Sequence, residues 1–415
     1  MILTNCRLKN RDRLCDITIE NGRFKSIVPA APRDEGASGG KVLDAGGKLV
    51  LPPFVEPHIH LDFVFTAGIP RHNVSGSLFE GIQIWSERKI AEPLTVRGVR
   101  DNAIRAIKQL AGFGVQAIRS HVDTTDPNMI ALTAMLEVKD AVRDIAELQL
   151  VAFPQEGIRA FPDGEKLLER AIQMGADAVG GIPHFEYCRE YGVDSLETTI
   201  DLACKYDRLV DVHCDEIDDP ASRFLEVLAT KAYETGLADR VTASHTVAMH
   251  SYDNAYCSKL FNILTRSRIQ FACCPAENTH LQGRADNYPR RRGVTRVKEL
   301  TQAGLNVAFG QDSISDPWYP LGTGNLLRVL EFGLHVTQMT GFDEISDSLE
   351  FITSHGAKLL RIEDHYGIEE GKPANCIILN CTNDFDAVRN LSEVLYSIRN
   401  GKTIMKCEPA SRKLL

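Results

Sequence analysis

No stretch of this 415-residue chain is long and apolar enough to span a bilayer. Its first residues, Met-Ile-Leu-Thr-Asn-Cys-Arg-Leu, lack the charged-then-apolar order of a secretion signal. The sequence therefore predicts a cytoplasmic protein without a membrane partner. Positive charge is also in short supply: 47 Lys and Arg against 56 Asp and Glu leave a net charge of −9. That balance argues against a nucleic-acid partner, which calls for a basic footprint. The one basic run, Arg290-Arg291-Arg292, has no aromatic residues interleaved with it and reads as a solvated loop beside an acidic neighbour. Cysteine is sparse and irregular, 11 residues with no Cys-x-x-Cys pair, which excludes a disulfide framework and leaves the thiols as small hydrophobes.

What the chain does have is a set of apolar, β-prone runs that each end in polar residues able to bind a metal or move a proton. The first is Leu-Val-Leu-Pro-Pro-Phe-Val-Glu-Pro-His58-Ile-His60-Leu-Asp. On a strand, alternate residues face one side, so both imidazoles address a common centre while Ile59 points away. Val-Asp-Val-His213-Cys-Asp-Glu216, Thr-Ala-Ser-His245-Thr and Val-Ala-Phe-Gly-Gln-Asp312-Ser repeat the pattern.

Eight such runs predict strands over 49–60, 115–123, 148–156, 177–185, 208–216, 240–246, 268–275 and 306–313. Helical periodicity lies between most of them; Val96, Val99, Ala103, Ala106, Ile107 and Leu110 fall on one face. Strand and helix alternating through eight strands is the signature of an α/β fold, the (β/α)8 TIM-type barrel, with chemistry at the C-terminal ends of the strands. The termini have a different texture. Short strands with Asn21-Gly22 and Asn400-Gly401 turns mark both ends, and neither end alone has enough strands for a stable sheet. The expected organisation is a barrel over 51–370 and one small β-domain built from 1–50 and 371–415.

His58-x-His60 on the first strand, His213 on the fifth, His245 on the sixth and Asp312 on the eighth resemble the amidohydrolase superfamily. Within it, the segments around His58, Ala-Phe-Pro-Gln155-Glu-Gly, Asp-Val-His213-Cys-Asp-Glu216, Ala-Ser-His245-Thr, His280-Leu-Gln-Gly-Arg and Asp316-Pro-Trp318-Tyr-Pro-Leu-Gly are similar to the bacterial cytosine deaminase family. The resemblance runs through essentially the whole chain. It implies one divalent metal, Fe2+ or Zn2+, held by His58, His60, His213 and Asp312. Three neutral imidazoles and one carboxylate leave such a site cationic enough to bring a bound water's pKa to ~7. Members with two metals bridge them by a lysine on the fourth strand, and Gly-Gly-Ile-Pro-His184-Phe-Glu offers none.

The same resemblance assigns the proton shuttle to Glu216 and activation of water to His245 and Asp312, without dividing the base role between them. It gives Gln155 the substrate's lactam edge, which an amide matches with a donor and an acceptor side by side. Trp318 and Leu78 become walls of the pocket. His121 and Asp123, alternating on the second strand, are expected to hold the ligands' outward-facing nitrogens. The chain departs from the family on the eighth strand, where Gln311-Asp312-Ser313 replaces His-Asp-Asp. Asp312 keeps the ligand; Ser313 removes a carboxylate from the substrate's C4/C5 edge and makes room for an apolar substituent. The expected substrate is a small-molecule pyrimidine, cytosine or 5-methylcytosine, with neutral drift at Ser313 as the bland alternative. A hydrolase of a triazine or creatinine-like ring and a catalytically inactive binding protein are the competing readings. The chain is compatible with a homo-oligomer.

Overall fold

The computed structural model of the protein describes residues 1–9, 11–31, 41–91, 94–410 and 413. Eight parallel strands form a barrel in chain order: Phe54–Ile59, Val115–Asp123, Glu147–Phe153, Ala178–Gly181, Leu209–Cys214, Val241–His245, Gln270–Cys273 and Val307–Phe309. Every strand is buried along most of its length, as expected of a parallel sheet covered by helices on its outer face. The barrel closes between the first and eighth strands through a bridge of Ile59 with Asp312. The His60 amide donates to the Asp312 carbonyl (3.0 Å) and the Asp312 amide to the His58 carbonyl (2.9 Å).

The run expected as one strand over 49–60 is two. Leu49–Leu51 pairs with Ile2–Leu8 and with Cys376–Leu379, and only from Phe54 does the chain join the barrel. Pro52 and Pro53 account for the break, because two consecutive residues without N–H groups cannot continue a ladder. Leu49–Leu51 thereby sits in the middle of a second sheet ordered Lys402–Lys406, Val394–Arg399, Cys376–Leu379, Leu49–Leu51, Ile2–Leu8, Cys15–Glu20 and Arg23–Pro29, with Val42–Asp44 beside Ile2–Leu8. Strands from both ends of the chain make this one sheet, with its own core of Leu3, Ile17, Phe24, Ile378 and Ile398.

Helix Val96–Gly112 shows how the outer layer is specified. Thr95 caps it by accepting from the Gly98 amide (3.1 Å), and Val99, Ala103, Ala106, Ile107 and Leu110 are its buried face. Arg291, in the basic run, pairs with Asp286 at 2.7 Å. No helix among the described residues is long and apolar enough to cross a membrane.

The lower half of the barrel carries a fully buried cation. Arg119 donates to Asp211 Oδ2 (3.0 Å), Thr242 Oγ1 (3.2 Å), Gln149 Oε1 (3.0 Å) and the Leu359 carbonyl (2.9 Å). Breaking such a pair on one side strands the other charge in the interior. Arg119→Met should therefore lower the free energy of unfolding by about 3–5 kcal/mol. Urea-induced unfolding reads this directly, and a loss of under about 1 kcal/mol, the scale of an exposed pair, would show that the interaction is dispensable.

Candidate active site

The strand ends converge on a small cavity lined by His60, Phe63, Leu78, Gln155, Ile182, His213, Glu216, Glu277, Leu281, Asp312, Ser313 and Trp318. His58 and His245 lie fully buried beside it. Every site residue expected from the sequence is thus brought to one place. The Nε2 atoms of His60 and His213 face each other at 3.0 Å. Asp312 Oδ1 stands 3.5 Å from His58 Nε2 and 3.6 Å from His60 Nε2. His58 Nε2 has no hydrogen-bond partner. Burial keeps these rings neutral: His60 is pushed down to about 3, and His58 and His213 fall well below the usual imidazole range. Neutral imidazoles aimed at a shared carboxylate oxygen are a donor set suited to a divalent cation.

The orientation of His58 is set from below. Its Nδ1 lies 2.9 Å from Ser244 Oγ, and that hydroxyl donates to Asp211 Oδ1 at 2.6 Å. With its proton spent on Asp211, Ser244 accepts from His58 Nδ1–H, which leaves Nε2 free as a ligand. The chain of contacts ends on Arg119. Alternation on the second strand predicts this task for His121 and Asp123, and the structure corrects it. Asp123 accepts instead from Trp85 Nε1 (2.9 Å), Lys89 Nζ (2.8 Å) and the Thr125 hydroxyl (2.6 Å), three donors gathered at its strand end. His121 packs under His58 with ring centroids 4.1 Å apart, and neither of its nitrogens is hydrogen-bonded. Asp211 was within reach of the same alternation rule, since it precedes His213 by two and faces the same way; Ser244, next to His245, was not.

Above the cluster, Glu216 Oε1 lies 3.5 Å from His245 Nδ1, which in turn is 3.8 Å from Asp312 Oδ2. Asn278 joins them, donating to Glu216 Oε1 at 3.4 Å and lying 3.0 Å from His245 Nδ1. Burial, reinforced by the neighbouring Asp312 carboxylate, pushes Glu216 well above the usual carboxylate range. His245 and Asp312 adopt left-handed backbone angles, φ of 66° and 69°. Such strain in non-glycine residues persists where surrounding structure holds it, and it is frequent at functional positions.

Aromatic rings form part of the wall. Phe63 stacks on His60 (4.7 Å) and meets Trp318 at 4.5 Å, while Phe153 stacks on His213 at 4.0 Å. Trp318 can reach this position because residue 81 is glycine; a β-carbon there would sit 2.6 Å from the indole. Gly322 similarly admits the Ser313 carbonyl, which a β-carbon would approach within 1.8 Å. On the opposite wall, the residue after Gln155 is anchored: Glu156 accepts from Lys89 at 2.6 Å. Gln311 turns away from the site, its Oε1 accepting from the Gly324 amide at 2.9 Å. Glu277 and Asn278 were not read from the sequence. The signal was present, since helix Pro275–Leu281 starts immediately after the seventh strand, on the rim where such barrels place their chemistry.

The chain is 53% identical to 5-methylcytosine deaminase from Klebsiella pneumoniae, whose crystal structure with 5-fluorocytosine superposes with a TM-score of 0.97 over 100% of this chain and 99% of that one. The structure of that enzyme with phosphonocytosine gives a TM-score of 0.96 over 100% of both chains. N-isopropylammelide isopropyl amidohydrolase from Pseudomonas sp. (strain ADP) is 28% identical over 98% of each chain. Residues 41–405 match the model of the amidohydrolase family, and with the barrel, the histidine–aspartate cluster and these relatives the chain is a member of that family.

Proposed function

We propose that this enzyme hydrolyses the exocyclic C–N bond of 5-methylcytosine and of cytosine, giving thymine or uracil and ammonia. The observation that carries the reading is the meeting, in one small cavity, of a buried Glu216 carboxyl with the three-histidine, one-aspartate cluster. The 53% identity with a 5-methylcytosine deaminase supports the substrate class.

The enzyme is metal-dependent, as its family is, and a single divalent ion, Fe2+ or Zn2+, suits His58, His60, His213 and Asp312. Bound there, it would supply a water activated as a nucleophile near neutral pH. The remaining work falls to the chain. Gln155 reads the ring N–H and adjacent carbonyl. Glu216, whose raised proton affinity lets it carry a proton near neutrality, protonates the neighbouring ring nitrogen as the C4 carbon is attacked. His245 and Asp312, 3.8 Å apart, accept the proton that the attacking water gives up and return it through Glu216, which then hands a proton to the C4 amine; the C–N bond breaks, ammonia leaves and the C4 carbonyl forms as its hydroxyl proton is taken up in turn. Phe63, Leu78, Ile182, Leu281 and Trp318 exclude bulk solvent and confine the ring. Ser313 borders the cavity with a small uncharged side chain, where burial of the 5-methyl group gains up to ~0.8 kcal/mol.

Steady-state kinetics with cytosine, 5-methylcytosine, 5-fluorocytosine, creatinine and ammelide derivatives test the reading; turnover confined to the last two would overturn it. Full activity should coincide with about one metal equivalent per chain. His60→Ala should lose metal and activity together, and Ser244→Ala should weaken metal retention ~10–100-fold in chelator competition. Two equivalents essential for turnover would contradict the single-ion assignment.

In Glu216→Gln, metal content and substrate affinity should persist while kcat falls at least ~10²-fold. Near-normal turnover would move the shuttle elsewhere. Ser313→Asp should shift the ratio of kcat/KM values toward cytosine by roughly 10–200-fold, the usual discrimination for one methyl group. An unchanged ratio would separate Ser313 from substrate choice.

A further inference from the structure

Glu277 is the one buried acid on the cavity wall that the mechanism above leaves without a task. It is 1% exposed, lines the cavity, and its Oε2 has no hydrogen-bond partner. No Lys or Arg among the described residues forms an ion pair with it. Ser313 shares the cavity wall with Glu277, and Asp316 lies close to the same carboxyl. Asp316 is itself fixed by the Trp318 and Tyr319 amides, both at 3.0 Å from Oδ1. Glu277 therefore sits beside a fixed loop with one oxygen of its carboxyl unclaimed. The next residue, Asn278, touches both Glu216 and His245, so Glu277 is anchored directly beside the reacting centre.

A buried acceptor that no protein group satisfies calls for a donor from the ligand. The substrate, on the reading proposed above, has only a few. Its ring N–H goes to Gln155, and Glu216 serves the other ring nitrogen. The exocyclic amine remains; it is attached to the attacked carbon and therefore lies on the Asp312–Ser313 side of the cavity. We propose that Glu277 accepts a hydrogen bond from this amine and thereby selects primary-amine substrates over N-alkylated ones. Replacing the bonded N–H by an alkyl group would press carbon against a desolvated carboxyl oxygen and return no partner.

The test compares kcat/KM for cytosine and N4-methylcytosine in the wild type, Glu277→Ala and Glu277→Gln, alongside the Kd of uracil, which has no amine. Glu277→Ala should lose ~10²-fold or more on cytosine and bind uracil within about threefold of the wild type. Its preference for the primary over the methylated amine should fall at least ~10-fold, and Glu277→Gln, which keeps an acceptor oxygen, should recover most of the cytosine activity. Parallel losses on both amines, or a matching loss of uracil affinity, would reduce Glu277 to a structural prop and overturn the proposal. A wild type inactive on every aminopyrimidine would overturn the deaminase reading and this inference with it; an active wild type with parallel losses overturns this inference alone.

Discussion

The seam of the barrel and the candidate metal cluster are the same piece of backbone. His60 and His58 on the first strand exchange hydrogen bonds with Asp312 on the eighth, so the last pairing that closes the cylinder also sets the spacing of three of the four candidate ligands. Closing a barrel constrains strand tilt and stagger together. A ligand set placed on the closure inherits that rigidity. The cost shows in the left-handed angle at Asp312, matched at His245 two strands away.

Below this seam lies a polar column that would be unfavourable if any member were missing. Arg119, Asp211, Ser244 and His58 form a continuous line from the barrel floor to the cluster, each buried and each paired. One charge is neutralised by the next, and the last link holds an imidazole in the tautomer that presents Nε2 upward. Burial does the complementary work on protonation: it keeps the imidazoles uncharged and pushes the Glu216 and Asp312 carboxyls upward. One desolvated environment thus prepares the histidine ligands and the proton carrier, with opposite effects on opposite charge types.

Much of this was legible in the amino-acid order because a strand has a period of two and a helix 3.6. Alternation identified His58 with His60, and runs ending in His213, His245 and Asp312 marked the barrel's active rim. The period says which residues face inward but not how far along the axis they lie or which partner they meet. That is why His121 and Asp123 looked suited to orient the ligands, whereas Asp123 was claimed by Lys89 and Trp85, residues 34 and 38 positions away. Strand 49–60 was overextended for a related reason: apolar character continued through Pro52-Pro53, but hydrogen-bonding capacity did not. Glu277 escaped notice because a place on the rim, although legible, does not tell a glutamate aimed inward from one in solvent; only the packed structure shows it 1% exposed on the cavity wall.

The split at Pro52-Pro53 also bears on how the molecule comes into being. Leu49–Leu51 leads, after two prolines, into the strand carrying His58 and His60, and one of its two neighbours is Cys376–Leu379. During synthesis the barrel's opening strand therefore emerges long before the segment that will flank its tether. The eighth strand, which must meet the first, also arrives late. The ligand-bearing seam cannot form before Asp312 has been made, and nascent forms short of that point have an open sheet edge on either side of it.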